Sequence, residues 1–227
     1  MSPQIKPIQL WGQGGANPPK VAMVLEELGL PYEIKPISFS DVKKPDYVAI
    51  NPNGRLPAIY DPNTDITLWE SGAILEYLVD HYDKDRRISF APGTPESYHA
   101  KQWLFFQASG QGPYYGQAVW FIKFHHEPLP SVIERYCKEV RRVSAVLDKY
   151  LDQQKEKHIG NDIGTGPWLV GNKFSYVDIA FISWQIGIAS TASKDQYCLD
   201  DFPRVKEWLG KMTTRPAVKR VNVEQAK

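Results

Sequence analysis

The chain has 227 residues, which is enough for one large domain or two small ones, and 42% of them are hydrophobic and 23% charged, as in globular proteins. Its 27 Lys and Arg residues nearly cancel its 26 Asp and Glu residues. The chain as a whole therefore has no excess of charge for nucleic acid or for an anionic membrane, and neither partner is expected.

The other compositional signals indicate a cytoplasmic protein without a metal. The most apolar stretch, 179–189, is interrupted by Gln185 and Gly187 and is shorter than the roughly 20 residues of a membrane helix. Two cysteines without C-x-x-C spacing are typical of a reducing compartment. The five histidines show no metal-ligand spacing, so no metal site is expected.

The first part of the chain, 5–86, alternates short strand-like and helix-like segments. Its order, βαβ, loop, ββα, predicts a small mixed sheet with helical cover, in which the first two strands are parallel. Hydrophobic periodicity and turn residues predict strands at 7–11, 32–37, 56–60 and 66–69, and helices at 17–28 and 71–82.

A charged and then Pro/Gly-rich stretch, 83–96, is predicted to link this α/β domain to an all-helical domain at 92–224. Helical periodicity covers 96–124, 129–154, 175–189 and 202–213. Pro113 should bend the first of these helices, because proline lacks a backbone donor. Ser175 and Asp178 have the spacing of a capping box at the start of the third.

A glycine-rich loop, Gly12-Gln13-Gly14-Gly15-Ala16-Asn17, follows the first strand. The G-x-G-x-x-G fingerprint of dinucleotide-binding proteins would need glycine at 17, so that class is excluded. Asn17 opens the next helix, and its amide has two interpretations: a helix N-cap, which the spacing alone favours, or a group that faces a ligand at this helix end.

Two later motifs also allow two interpretations. Pro57 begins a strand, where an X-Pro bond is either an ordinary trans bond or a cis bond that leaves the preceding backbone free to pair with an extended peptide. Glu70 and Ser71 stand at the start of a helix. Ser71 is the N-cap, or the two side chains hold the ammonium and an anionic group of an amino acid.

The order of elements in 5–86, the Leu56-Pro57 and Glu70-Ser71 motifs and the helical second part resemble a cytosolic glutathione transferase over nearly the whole chain. Further motifs resemble the subgroup of bacterial nu-class enzymes and fungal homologues of the prion-forming nitrogen regulator. These motifs are Trp103-Leu104-Phe105-Phe106-Gln107, Gly116-Gln117-Ala118, Glu134-Arg135-Tyr136 and Glu139-Val140-Arg141-Arg142-Val143.

The resemblance implies a thioredoxin-like first domain that binds glutathione as co-substrate. By this resemblance, the Leu56 backbone before Pro57 would pair with the cysteinyl unit. Glu70 and Ser71 would hold the γ-glutamyl end, and Asn17 would face the sulfur, with Gln13 as the reserve candidate.

Further roles are implied for charged and aromatic residues. Lys43, or alternatively Arg55, would hold the glycyl carboxylate, although both could be solvated surface cations. Arg135 matches an arginine that reaches glutathione across a dimer interface. The aromatic residues Tyr114, Trp120 and Phe124 would line an apolar electrophile pocket, or would simply belong to the core.

The glycine loop carries no Tyr, Ser or Cys, so glutathione is expected to supply the only reactive thiol. The expected activity is that of a homodimeric glutathione transferase, which directs this thiol onto an electrophile, a hydroperoxide or a mixed disulfide. The alternative is a glutathione-binding regulatory protein with little turnover.

Overall fold

The computed structural model describes residues 5–158 and 166–225. The described contacts divide the chain into two compact units. One unit runs to Ser89 and includes the residues from Arg215 onward, and the other is Phe90–Thr214. Within the described ranges, no helix combines the length and the hydropathy that a membrane span requires.

The first unit contains a four-stranded mixed sheet with the order β2-β1-β3-β4. β1 and β2 are parallel and β3 and β4 are antiparallel, as the sequence predicts. β3 also pairs antiparallel with β1, which the sequence did not specify. The strands are β1 (Ile8–Trp11), β2 (Tyr32–Lys35), β3 (Ala58–Asp61) and β4 (Ile66–Trp69).

The helices of the sheet unit are α1 (Pro18–Leu28), α2 (Pro45–Val48) and α3 (Ser71–Tyr82). α1 ends at Gly29, whose φ of 68° lies in the left-handed region that glycine adopts without steric cost. α1 packs against α3. The apolar face predicted for α3, Ile74, Leu75 and Leu78, is fully buried. Of the face predicted for α1, Val21, Val24 and Leu25 are fully buried, whereas Leu28 is half-buried.

The last helix, α9 (Pro216–Gln225), packs against α1 of the sheet unit. Nε of Arg215 lies 2.6 Å from Oε1 of Glu27, and Val218 is fully buried. By its contacts α9 groups with the sheet unit, whereas the predicted bounds of the helical domain, 92–224, follow the order of elements along the chain. Periodicity predicts that a helix has an apolar face, but not which unit covers that face.

The second unit is helical throughout its described residues, in agreement with the predicted fold class of an α/β domain followed by helices. Its long helices are α4 (Pro95–Phe106), α5 (Gly112–Lys123), α6 (Pro130–Lys157), α7 (Tyr176–Ala189) and α8 (Pro203–Thr213).

A π-helical turn, Gln107–Gln111, separates α4 from α5. Nε2 of Gln107 donates to Oε1 of Gln111, and Nε2 of Gln111 donates to the carbonyl of Phe181, both at 3.1 Å. The predicted interruption is present, but it lies just before Pro113. That proline stands in the first turn of α5, where its missing N–H is tolerated.

The capping box at the start of α7 is confirmed. Oδ2 of Asp178 accepts from the backbone N–H of Ser175 at 2.9 Å. Oδ1 accepts from the backbone of Leu169 at 3.1 Å and from Nε1 of Trp208 at 2.9 Å. Burial raises the pKa of Asp178 to about 6, although these hydrogen bonds favour the ionised carboxylate.

Candidate functional site

The glycine loop after β1 approaches the Leu56-Pro57 segment closely. Gly12, Gly14 and Gly15 have φ values of 111°, 82° and 70°, in which other residues would be strained. A Cβ atom on Gly12 would lie 3.1 Å from Cδ1 of Leu56 and 3.1 Å from Cγ of Pro18. The loop, the start of α1 and Leu56 therefore form one corner of the sheet unit.

Asn17 occupies the N-cap position of α1, as the spacing favours, but its side chain makes no capping hydrogen bond. The physical reason is that Pro18 and Pro19 occupy the first two helical positions. An N-cap side chain bonds to the second or third backbone N–H of the helix, and here Pro19 has none, which leaves only that of Lys20. Asn17 also has helical backbone angles, φ −92° and ψ −42°, rather than the extended ones usual for a capping residue. The same two prolines leave this helix end with fewer N–H donors for an anion than the sequence analysis assumed.

The Leu56-Pro57 peptide bond is cis. The turn before it is held from one side, because Nδ2 of Asn51 and Oη of Tyr47 donate to the carbonyl of Arg55 at 2.6 and 2.8 Å. Leu56 itself is half-buried and precedes β3. Of the two interpretations of Pro57, the structure has the cis bond.

Glu70 occupies the N-cap position of α3, so the predicted N-cap at Ser71 is one residue too late. Its φ of 69° and ψ of 113° place a non-glycine residue in the left-handed region, at a cost of about 1–3 kcal/mol. Neither residue caps the helix with its side chain. Glu70 is exposed, and its carboxylate forms no ion pair or hydrogen bond with another described residue.

Strand pairing brings the two motifs together. In the β3–β4 register Ala58 lies opposite Trp69. Pro57 and Glu70 are the next residues outward on the two strands, so the cis-proline turn and the start of α3 meet at one end of the sheet. This juxtaposition, which the sequence motifs do not show individually, defines the candidate site.

Lys20 is a charged residue near this end of the unit that the sequence analysis did not single out. It is the third residue of α1, and only 1% of its surface is exposed. Burial lowers the pKa of Lys20 to about 7, and the carboxylate of Glu70 partly opposes that shift. One sequence signal could have identified Lys20: it stands four residues before Val24 and therefore on the buried face of α1.

The two candidate cations lie on the same turn before the cis-proline. Nζ of Lys43 donates to the carbonyl of Asn53 at 2.8 Å. Gly54 has a φ of 58°, and a Cβ atom there would lie 2.9 Å from Cδ of Lys43, so the two residues pack closely. Arg55 and Lys43 are both exposed, and the geometry does not decide between them.

An open cleft of about 830 Å³ lies beyond the carboxyl ends of the parallel strands β1 and β2. Gln13 lines this cleft, whereas Asn17, Leu56 and Glu70 do not. The other lining residues are Gly14, Pro36, Ile37, Ser38, Asp41, Lys44, Asp46 and Tyr47.

The predicted electrophile residues lie in the second unit and do not share one face of α5. Trp120 and Phe124 are 45% and 68% exposed and are one helical turn apart. Tyr114 points about 80–120° away from them, given roughly 100° per residue, and lies under the guanidinium of Arg142 at 5.9 Å. Arg135 is exposed on α6.

Among the described residues, no group of three or more His, Cys, Asp or Glu side chains is arranged to hold a metal ion. The candidate site therefore consists of an amide, backbone groups, a carboxylate, a hydroxyl and a buried lysine. These groups suit a ligand that carries both peptide and amino-acid functions.

Comparison with known proteins identifies the family. The family model of the glutathione S-transferase N-terminal domain matches residues 6–80, and that of the C-terminal domain matches residues 132–222. The glutathione S-transferase-like protein gedE of Aspergillus terreus is 59% identical over 219 residues, which cover 96% of this chain and 95% of that protein. Glutathione S-transferase 2 of Schizosaccharomyces pombe is 40% identical over 227 residues, 94% of each chain.

Solved structures agree with these matches. The glutathione transferase URE2P6 from Phanerochaete chrysosporium, in complex with oxidized glutathione, superposes with a TM-score of 0.88 at 46% identity and 97% coverage of both chains. Ure2p in complex with glutathione gives 0.86 at 34% identity, covering 96% of this chain and 100% of that chain. The chain belongs to the glutathione S-transferase family, and its structural neighbours are transferases of the Ure2p type.

Proposed function

We propose that this transferase binds glutathione in its first unit, ionises the thiol and directs it onto an electrophile, a hydroperoxide or a mixed disulfide. The observation that carries the proposal is the meeting of the cis Leu56-Pro57 turn with the Glu70-Ser71 helix start at one end of the sheet. A backbone edge beside a carboxylate and a hydroxyl matches a peptide that begins with a free amino acid.

Each part of glutathione has a candidate partner. The Leu56 backbone would pair with the cysteinyl unit, and the Glu70 carboxylate with the glutamyl ammonium. Ser71, at the first turn of α3, would hold the glutamyl carboxylate. The glycyl carboxylate would take Lys43 or Arg55. In a dimer, Arg135 would reach glutathione on the partner subunit.

Glutathione would supply the nucleophile, because the chain's two cysteines, Cys137 and Cys198, both lie in the second unit. Burial also raises the pKa of Cys137, which makes its thiol a poorer nucleophile at neutral pH. Asn17 would donate a hydrogen bond to the thiolate, worth about 1.5–3 kcal/mol to a charged group. Gln13, in the neighbouring cleft, is the reserve donor.

The chemistry is a thiolate attack in each case. On an electrophile a sulfur–carbon bond forms while a leaving group departs with its bonding electron pair, or while a π pair shifts away and takes up a proton. On a hydroperoxide the thiolate attacks oxygen, the O–O bond breaks and an alcohol leaves, and a second glutathione converts the resulting sulfenic acid into oxidized glutathione and water. On a mixed disulfide a new sulfur–sulfur bond forms as the old one breaks and releases a thiolate. Solved relatives hold oxidized glutathione and 1-(S-glutathionyl)-2,4-dinitrobenzene, products of the disulfide and the electrophile types respectively. The apolar pocket for the second substrate remains a prediction for Tyr114, Trp120 and Phe124.

A cytoplasmic homodimer with a role in detoxification completes the proposal. Tyr98 and Phe105 lie seven residues apart on α4, and therefore on one face, and are 64% and 73% exposed. Such an apolar face favours a second copy of the chain as its cover. Light scattering should give about twice the chain mass of 25.9 kDa, and a monomeric mass would remove the role of Arg135.

The test of the binding site is a melting experiment with and without glutathione. A ligand at one hundred times its Kd stabilises the native state by about 2.7 kcal/mol, and Glu70→Ala should lose most of this shift. Asp80→Ala is the matched control, since it removes another exposed carboxylate of α3 and should keep the shift. Absence of any shift in the wild type would show that the site is assigned wrongly.

Turnover assays then separate the transferase from a regulatory protein. The panel should contain electrophiles, hydroperoxides and glutathionylated thiols. The proteins named URE2, at 37% identity, are less similar to this chain than gedE at 59%, so turnover is expected. Glutathione binding without turnover on any member of the panel would favour the regulatory alternative.

A further inference from the structure

Lys20 has an environment that packing alone does not explain. The residue belongs to the first turn of α1, where every position from Pro18 to Leu25 is buried. Its ammonium forms no hydrogen bond and no ion pair with any residue of the described chain. The Lys20 nitrogen is not one of the enclosed polar atoms that lack a partner, so the tip of the side chain keeps contact with solvent while the rest is buried. Burying most of a charged side chain is costly, and such groups concentrate at functional sites.

The surroundings of Lys20 connect it to the start of α3. α1 packs against α3, and Glu70 is the charged group of the described chain whose carboxylate acts on Lys20. The histidine of the described sheet unit is His81. It lies near the far end of α3, about 15 Å along the helix from Ser71.

We propose that Lys20 is a positioning residue for the amino-acid end of glutathione, whose ammonium orients the Glu70 carboxylate and attracts the ligand carboxylate. This inference rests on the proposed function, because it assumes that the γ-glutamyl group binds at the start of α3. Lys20 acts through charge, and it makes no covalent or proton-transfer step.

The charges around the bound ligand give the physical reason. The amino-acid end brings one ammonium and one carboxylate, and Glu70 adds a second carboxylate. With Lys20 neutral, two negative charges face one positive charge in a partly buried site. With Lys20 protonated, the signs balance and each carboxylate has a cation near it.

The direction of the pH dependence follows from this balance. Lys20 carries its proton below about pH 7 and loses it above that value. The protonated form binds the ligand better, so affinity should be highest near pH 6 and should fall as the pH rises towards 8. Binding near pH 7 should also take up part of a proton from the buffer.

The experiment uses the full chain and S-methylglutathione, whose blocked sulfur cannot ionise, with Kd measured by calorimetry at pH 6, 7 and 8. Wild-type affinity should fall about tenfold across this range, a size typical of coupling between two sites. Lys20→Met keeps the length of the side chain and removes the charge. It should bind at pH 6 as weakly as the wild type does at pH 8, without pH dependence.

Matched controls isolate Lys20. Lys35→Met removes a half-buried lysine of the same unit that is paired with Glu33, and His81→Gln removes the histidine of that unit. Both variants should keep the wild-type pH profile. With glutathione as substrate, Lys20→Met should raise KM and leave kcat at saturation nearly unchanged. A purely structural lysine would not produce this combination with a lost pH dependence.

Calorimetry of the wild type in two buffers with different ionisation enthalpies needs no variant, so the proposal stays testable if Lys20→Met fails to fold. Zero proton uptake at pH 7 would overturn the proposal. So would a Lys20→Met profile that parallels the wild type. If the wild type does not bind S-methylglutathione at any pH, the proposed function itself fails.

Discussion

The N-termini of helices α7 and α3 differ in whether a side chain of the protein caps the first backbone N–H groups. At α7, Asp178 accepts four hydrogen bonds and the capping box is complete. At α3, Glu70 stands in a left-handed conformation, and neither it nor Ser71 caps the helix. A helix start that the chain satisfies itself is structural, whereas one that is left open and strained is available to a ligand.

The energies show how unequal the two starts are. An ordinary N-cap stabilises a helix by about 1 kcal/mol, and the conformation of Glu70 costs about 1–3 kcal/mol. Stability alone would therefore favour a capping residue at position 70. Binding gives a reason for the strain, because the conformation of Glu70 leaves its carboxylate exposed at the sheet end where the cis-proline turn lies.

The largest expected effect is a loss of stability when the capped N-terminus of α7 is altered. Asp178→Ala removes the capping box and leaves the Leu169 N–H and the Trp208 indole N–H buried without an acceptor. We expect the free energy of unfolding to fall by about 3–5 kcal/mol, measured by urea denaturation. Folded Asp178→Ala should still bind S-methylglutathione with wild-type affinity. A loss of binding would contradict the assignment of the α7 N-terminus as structural and the α3 N-terminus as ligand-binding.

The next effect is on chemistry at the start of α1. Asn17→Ala should raise the pKa of bound glutathione by about 1–2 units, since it removes a hydrogen bond worth roughly 1.5–3 kcal/mol to the thiolate. A pH titration of the thiolate ultraviolet absorbance measures this shift directly. Because Asn17 does not cap α1, stability should change little.

Gln13→Ala is the comparison for that variant. It should leave the thiol pKa unchanged if Asn17 is the donor. An unchanged pKa in Asn17→Ala, together with a raised pKa in Gln13→Ala, would transfer the role to Gln13 in the cleft beside β1 and β2.

A smaller effect, on glutathione affinity, is expected at the N-terminus of α3, which no side chain caps. Ser71→Ala should change the free energy of unfolding by less than about 0.5 kcal/mol, because the hydroxyl does not cap the helix. It should weaken glutathione binding about fivefold, as expected for one hydrogen bond of about 1 kcal/mol. A large loss of stability with unchanged affinity would make α3 an ordinary capped helix.

The smallest effect concerns the cysteines of the second unit. The double variant Cys137→Ala and Cys198→Ala should keep glutathione-dependent turnover within about twofold, because neither thiol belongs to the unit that holds the candidate site. Steady-state assays on the folded variant measure this. Loss of turnover with retained glutathione binding would identify a protein thiol as nucleophile.

Local sequence signals determined much of the architecture. Alternation and turn residues located the four strands, and 3.6-residue periodicity located α1, α3 and the long helices of the second unit. The spacing of Ser175 and Asp178 sufficed for the capping box, because its partners are only three residues apart. The cap of α3 was misplaced by one residue, since the left-handed conformation of Glu70 has no local signature in a non-glycine residue.

The sequence by itself determined the elements and the motifs, because both depend on neighbours along the chain. Only the tertiary structure decided that α9 packs on the sheet unit, that Lys20 is buried near Glu70 and that the cis-proline turn meets the start of α3. These features depend on residues 13 or more positions apart, and hydrophobic burial, which has no preferred direction, does not specify in advance which distant surfaces will meet.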